Sequence, residues 1–160
     1  MPMQFLRRFH GRLQESWDDL LLVFAPAADS SLPLARFVYE LKGKITVKED
    51  SGQRKAFAKW KAFEPPKNGK LSTMHTFGLS RADVWSIDPG RKSGSGSIDR
   101  AVAVAHFEAS AALELKLEVL RDDRPPRHVT IRGWPSSPEK RHVLLQYATR
   151  LADAASVDVL

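Results

Sequence analysis

From Phe37 the odd positions read Phe37, Tyr39, Leu41, Gly43, Ile45 and Val47, while the even ones include Glu40, Lys42, Lys44, Thr46 and Lys48. A period of two is what a strand with one buried face produces. Glu49-Asp50-Ser51-Gly52 supplies a turn with Gly52 where a positive φ is needed, and Gln53 to Phe63 forms the return strand. The span from Arg36 to Phe63 is therefore expected to be one β-hairpin. Setting Lys48 opposite Gln53 also places Ile45 opposite Ala56, Leu41 opposite Trp60 and Tyr39 opposite Ala62 on one apolar face. The other face gathers Lys42, Lys44, Lys48, Lys55, Lys59 and Lys61 around Phe57, with Lys42 directly across from Lys59. Like charges facing each other destabilise a sheet, so that face suits an anion.

Elsewhere the pattern changes period. Phe5, Leu6, Phe9, Leu13, Trp17, Leu20 and Leu21 recur at three and four residues, which predicts a helix over about Met3 to Asp19. Its continuation through Leu20 to Phe24 reads equally as helix or strand. Pro26 to Pro33 is a loop, Thr73 to Leu79 a strand, and Ser80-Arg81-Ala82-Asp83 a capping box opening a short helix. Ala101 to Phe107 and Leu113 to Leu120 read as paired strands, the second alternating Leu113, Leu115, Leu117, Val119 with Glu114, Lys116, Glu118. His128 to Arg132 is a short strand. In the final helix Ser136 is the expected cap, Pro138 lies in the first turn and Glu139 completes the capping box. Its buried stripe is Val143, Leu144, Tyr147, Leu151, Ala154 and Ala155. The sum is an α+β fold, a mainly antiparallel sheet with an N-terminal and a C-terminal helix packed on it.

The strongest breaker, Glu64-Pro65-Pro66-Lys67-Asn68-Gly69, marks a subdivision at 64–70, but neither half carries a complete core, so 1–160 is expected to fold as a single domain. Lys plus Arg number 25 against 19 Asp plus Glu, a net charge of +6 that favours nucleic acid or an acidic protein as partner. Cysteine is absent, which removes disulfides, thiol nucleophiles and thiolate zinc sites and suits a cytoplasmic location. The longest apolar run, Leu20 to Ala25, is far short of the roughly 20 residues that span a bilayer, so no membrane association is expected.

Arg91-Lys92-Ser93-Gly94-Ser95-Gly96-Ser97 has the composition of a phosphate-cradling loop but not the spacing or the trailing Lys-Ser/Thr of a P-loop, and reads as a mobile connector. Asp99, followed by Glu114-Leu115-Lys116, resembles the D…E-x-K signature of the PD-(D/E)xK nucleases. That resemblance implies Asp99 and Glu114 holding a divalent metal, with Lys116 activating the attacking water. His128-Val129-Thr130 resembles one of the paired histidine motifs of the two-histidine phosphoesterases, with His75-Thr76 as the nearest second copy. His75, His106, His128 and Glu108 are imidazole and carboxylate donors that would suit zinc or iron if they met, although their spacing matches no local ligand motif.

These features add up to a non-catalytic binding module for an anionic partner, nucleic acid first, contacted through Lys42, Lys44, Lys48, Lys55, Phe57, Lys59 and Lys61. No cofactor or metal is expected on this reading. The alternatives are a protein-interaction or accessory subunit, and a metal-dependent nuclease using Asp99, Glu114 and Lys116.

Overall fold

The computed structural model describes Trp17 and residues 19–160. The helix expected over Met3 to Asp19 lies almost wholly outside the described residues. The undecided stretch after it is helical at 19–23 and turns at Phe24.

The framework is a six-stranded antiparallel sheet in the order β10-β7-β1-β4-β9-β8. Its strands are β1 (Pro33–Val38), β4 (Leu71–His75), β7 (Ala103–Glu108), β8 (Glu118–Arg121), β9 (His128–Arg132) and β10 (Ser156–Val159). Two-stranded ribbons, β2 (Ile45–Asp50) with β3 (Gln53–Ala58) and β5 (Arg91–Lys92) with β6 (Ile98–Asp99), stand outside it. Helices α1 (Arg81–Val84), α2 (Ala109–Glu114) and α3 (Arg141–Ala154) complete the mixed α/β architecture.

Alternation decides what each face of the sheet does. Leu34, Leu71, Ala103, Ala105, Phe107 and Ile131 point to one side, where Ala148, Leu151 and Ala152 of α3 close the main core. Phe63 is fully buried there and meets Phe107 edge to face, ring centroids 5.2 Å apart. On the other side Ala35, Phe37, Met74 and Val104 are covered by Val84, Trp85, Ile87 and Ala101. Asp88 fastens this cover: it accepts from the Tyr39 hydroxyl at 2.8 Å, the Gly90 amide at 2.9 Å and the Ala101 amide at 2.8 Å.

Strand β4 divides the sheet. It pairs with β9 over four residues but with β1 only at Leu34–His75 and Ala35–Met74, after which the two strands part. Arg36 fills the split, its Nη1 donating to the Ser72 carbonyl at 2.8 Å and its Nε to the Ala62 carbonyl at 3.2 Å.

Three expectations are corrected. The hairpin does not run from Arg36 to Phe63: the chain leaves the main sheet after Val38, turns at 41–44 with Gly43 at φ 74, and starts β2 at Ile45. Ser51 and Gly52, at φ 53 and 78, close a two-residue turn of the twist that hairpins favour, so Lys48 faces Lys55 and Ile45 faces Ala58. Lys42 therefore does not oppose Lys59, and Trp60–Ala62 is a 3-10 turn rather than strand.

The strand expected from Leu113 is also different, because Ala109–Glu114 is helical and Lys116 adopts φ 62. The amides of Leu115 and Leu117 both donate to the Ala112 carbonyl, so the leucines alternate around a helix end, and strand begins only at Glu118. Finally, the last helix is entered through a 3-10 turn, Pro138–Lys140, whose N-cap position is Ser137, one residue later than expected and without a side-chain capping bond; α3 itself begins at Arg141. Ala148 and Ala152 join Leu151 in its buried stripe while Ala154 is exposed.

A serine at positive φ is strained where asparagine is not. Ser51→Asn should raise the unfolding free energy by about 0.5 kcal/mol, read as a higher urea midpoint at unchanged slope; a lower midpoint would contradict the two-residue turn.

Candidate active site

Where the cover over the second sheet face ends, β4, β9 and β8 leave a polar corner. Ser72 on β4 is the cross-strand neighbour of Thr130 on β9, and Thr130 in turn faces Leu120 on β8. The β8–β9 pairing continues past Arg121, since the Asp123 amide donates to the His128 carbonyl at 3.0 Å. That extension sets Asp122 beside His128. Alternation then puts Ser72, His128, Thr130 and Asp122 on one face, over the wall of an open cavity of about 610 Å³.

The four side chains form one hydrogen-bonded chain. Asp122 Oδ1 lies 2.5 Å from His128 Nδ1, His128 Nε2 lies 2.6 Å from the Ser72 hydroxyl, and Thr130 donates to Asp122 Oδ2 at 2.7 Å. A carboxylate on Nδ1 selects the tautomer in which Nδ1 carries the proton and Nε2 accepts from the serine hydroxyl. The side chains of His128 and Asp122 are only 16% and 17% exposed, so solvent competes weakly for these bonds. Burial works to raise the Asp122 pKa, but the hydrogen bonds from His128, Thr130 and the Arg124 amide prevail and hold it below the usual carboxylate value. The aspartate is thus kept charged against the imidazole.

The cavity around this chain has two characters. Leu21, Leu22 and Phe24 give it an apolar wall, while Lys70, Arg121 and Arg124 bring positive charge. Asn68 is placed by its own turn, its Oδ1 accepting from the Lys70 amide at 3.0 Å. Arg121 Nε is buried and without a hydrogen-bond partner among the described residues.

Two further histidine–aspartate contacts occur among the described residues, and neither has this form. His75 Nε2 is 3.4 Å from Asp123, its Nδ1 has no partner, and it stands at the opposite parity of β4 from Ser72. His106 Nε2 is 3.0 Å from Asp158, which also receives Arg81 at 2.9 Å. Burial, with repulsion from Arg121 and Arg127 in the first case and from Arg81 in the second, lowers both pKa values despite their aspartates.

The residues singled out from the sequence are distributed differently. Lys48, Lys55 and Phe57 do share the outer face of the β2–β3 ribbon, with Lys48 Nζ 5.9 Å from the centre of the Phe57 ring and Lys55 paired to Asp50 at 3.2 Å. Lys44 and Lys61 line a separate cavity, and Lys42 and Lys59 lie off the strands. Asp99, Glu114 and Lys116 are not assembled on a strand: Asp99 pairs with Arg91 at 3.2 Å in the β5–β6 ribbon, Glu114 ends α2, and Lys116 occupies the following turn. The described residues contain no group of three or more histidine or carboxylate side chains that could hold a metal ion. His75 and His128, on opposite sheet faces, do not form a two-histidine pair. Ser72 and Asp122 were missed. The signal available was a serine alternating with Leu71 and Thr73, and an Asp-Asp step ahead of a Pro-Pro turn and the His-x-Thr strand.

Compared with protein-family models, with curated proteins and with solved structures, the chain has no significant match.

Buried His75 and half-buried His106 make stability depend on pH. Their folded pKa values lie below the roughly 6.5 of an unfolded histidine, so below that pH the unfolded chain binds more protons. Stability should be complete above about pH 7 and decline toward pH 5. Urea midpoints measured across that window should flatten in His75→Gln combined with His106→Gln; an unchanged slope would exclude these histidines as its source.

Proposed function

We propose that the protein is a hydrolase in which Ser72 is the nucleophile, His128 the general base and Asp122 the carboxylate that orients it. The observation that carries this reading is the continuous chain from the Ser72 hydroxyl through His128 Nε2 and Nδ1 to Asp122. Such a constellation is recognised by geometry and roles, not by order in the sequence.

The chemistry follows from the protons. His128 Nε2 takes the hydroxyl proton as Ser72 Oγ attacks a carbonyl carbon, and the carbonyl π electrons move onto its oxygen. Collapse of the tetrahedral intermediate expels an alcohol, which receives the proton from Nε2, and leaves an acyl-serine. Water then attacks with His128 again as base, returning Ser72 and releasing a carboxylic acid. Asp122 stabilises the imidazolium formed in each half, and Thr130 keeps Asp122 aimed. Asn68 and Lys70, whose ammonium is also paired with Asp19, line the cavity as donors for the developing oxyanion. An apolar wall facing a cationic one fits an ester with an apolar acyl group and a polar or anionic alcohol.

Incubation with a fluorophosphonate probe and peptide mapping should label Ser72, and p-nitrophenyl esters should be hydrolysed. Ser72→Ala should abolish labelling, and Ser72→Ala or His128→Ala should lower kcat by about 10³-fold or more. A wild-type protein that neither labels nor hydrolyses, or an activity that survives Ser72→Ala, refutes the assignment.

The direct opposition of Lys48 and Lys55 beside exposed Phe57 supports a second reading, in which the β2–β3 ribbon rests on an anionic polymer, nucleic acid first. With these two lysines neutralising phosphates, log affinity for duplex DNA should fall against log salt with a slope of about −2. A slope near zero, or equal binding by Lys48→Glu, removes this reading.

A further inference from the structure

We infer that the split between β1 and β4 is a phosphate-binding pocket, distinct from the serine cavity. It rests on observations independent of the hydrolase reading. Past the Ala35–Met74 pair the two strands separate, and a cavity of about 270 Å³ opens between them. This lies below the roughly 300 Å³ at which pockets for drug-sized ligands begin, and suits a small group.

Its polar wall is cationic. Arg36, Lys44, Lys61 and Arg91 line it together with Tyr39, and among the described residues no carboxylate lines it. Arg91 is paired with Asp99 and stacked 5.4 Å from the Tyr39 ring. Arg36 donates only to the neutral carbonyls of Ala62 and Ser72. Its charge is therefore held in a partly buried position with hydrogen bonds but, among the described residues, no counter-ion, and burial lowers its pKa accordingly.

Two local choices concentrate the charge further. The turn at 41–44 brings Lys44 toward Lys61, and the Lys61 stem lies over Gly43, where a Cβ would stand 3.6 Å from Lys61 Cδ. The Lys59 amide donates to the Lys44 carbonyl at 2.7 Å, which fixes the two chain segments side by side. Convergent like charges repel one another, and an anion between them relieves that repulsion. A guanidinium and two ammonium groups match the oxygens of a phosphate dianion.

The ligand is a terminal phosphate, either of a small molecule or of a nucleic-acid end. Calorimetry of the full chain with inorganic pyrophosphate tests the first source. Fluorescence polarisation with a short single-stranded oligonucleotide, phosphorylated at its end or carrying a free hydroxyl, tests the second; any contact with the β2–β3 ribbon is common to both ends and cancels. Pyrophosphate binding that weakens by about tenfold or more in Lys44→Ala combined with Lys61→Ala supports the pocket. A preference for the phosphorylated end that disappears in that variant assigns it to nucleic-acid ends. Arg36→Met should weaken pyrophosphate binding likewise; if that variant fails to fold, the lysine variant carries the test alone. Absence of both pyrophosphate binding and end preference, or binding unchanged by the lysine substitutions, overturns the proposal.

Discussion

The junction between β1 and β4 is the narrowest point of the sheet, and most of the architecture is arranged around it. Two ladder pairs and the Thr76 amide to Pro33 carbonyl bond are all the backbone pairing that joins β10-β7-β1 to β4-β9-β8. A sheet ladder that stops early leaves carbonyls facing an apolar interior, and each unpaired buried group costs about 1–3 kcal/mol. Arg36 answers that cost by reaching across to Ser72 and Ala62. The choice of a charged side chain for the repair is what makes the split polar instead of merely open.

The junction also separates two ways of treating the second sheet face. Over β7 and β1 it is apolar and roofed by the segment around Asp88, a carboxylate satisfied by three donors. That roof does not extend over β4, β9 and β8, where side chains satisfy one another: serine on histidine, histidine on aspartate, threonine on aspartate. A partly satisfied polar network in low dielectric is costly, whereas a complete one is rigid. The completeness of this one fixes the imidazole tautomer without help from any other element, and it separates His128 from His75 and His106, whose partners are arginine-shared or incomplete.

Much of the local structure was legible because it depends on neighbours in sequence. The strand at His128–Arg132, the Ser80 cap accepting from the Asp83 amide, and the long C-terminal helix all follow from period and capping chemistry. The failures have separate causes. Leu113, Leu115 and Leu117 alternate like a strand, but Ala109 to Ala112 favours helix, and the alternation is produced by a left-handed residue at Lys116. β10 is too short to announce itself and exists because β7 offers it an edge. That Lys48, Lys55 and Phe57 share one face of the hairpin was readable from parity alone. Its register was not, because a two-residue and a four-residue turn keep the same parity, and only the backbone at Ser51 distinguishes them. For the candidate site, Ser72 and His128 are 56 residues apart, and their meeting depends on which strands are adjacent, a non-local fact that spacing does not encode.

Ser72 belongs to both polar systems, and this is a consequence of geometry rather than coincidence. In a strand the side chain and the backbone carbonyl point in different directions, one out of the sheet and the other within its plane. The hydroxyl can therefore serve His128 on the face while the carbonyl, freed by the split, serves Arg36 in the plane. An anion shared among Arg36, Lys44 and Lys61 would relieve the demand that Arg36 places on that carbonyl. The two systems share Ser72, so the rigidity of β4 there is set jointly by the ladder to β9 and by the guanidinium on its other side.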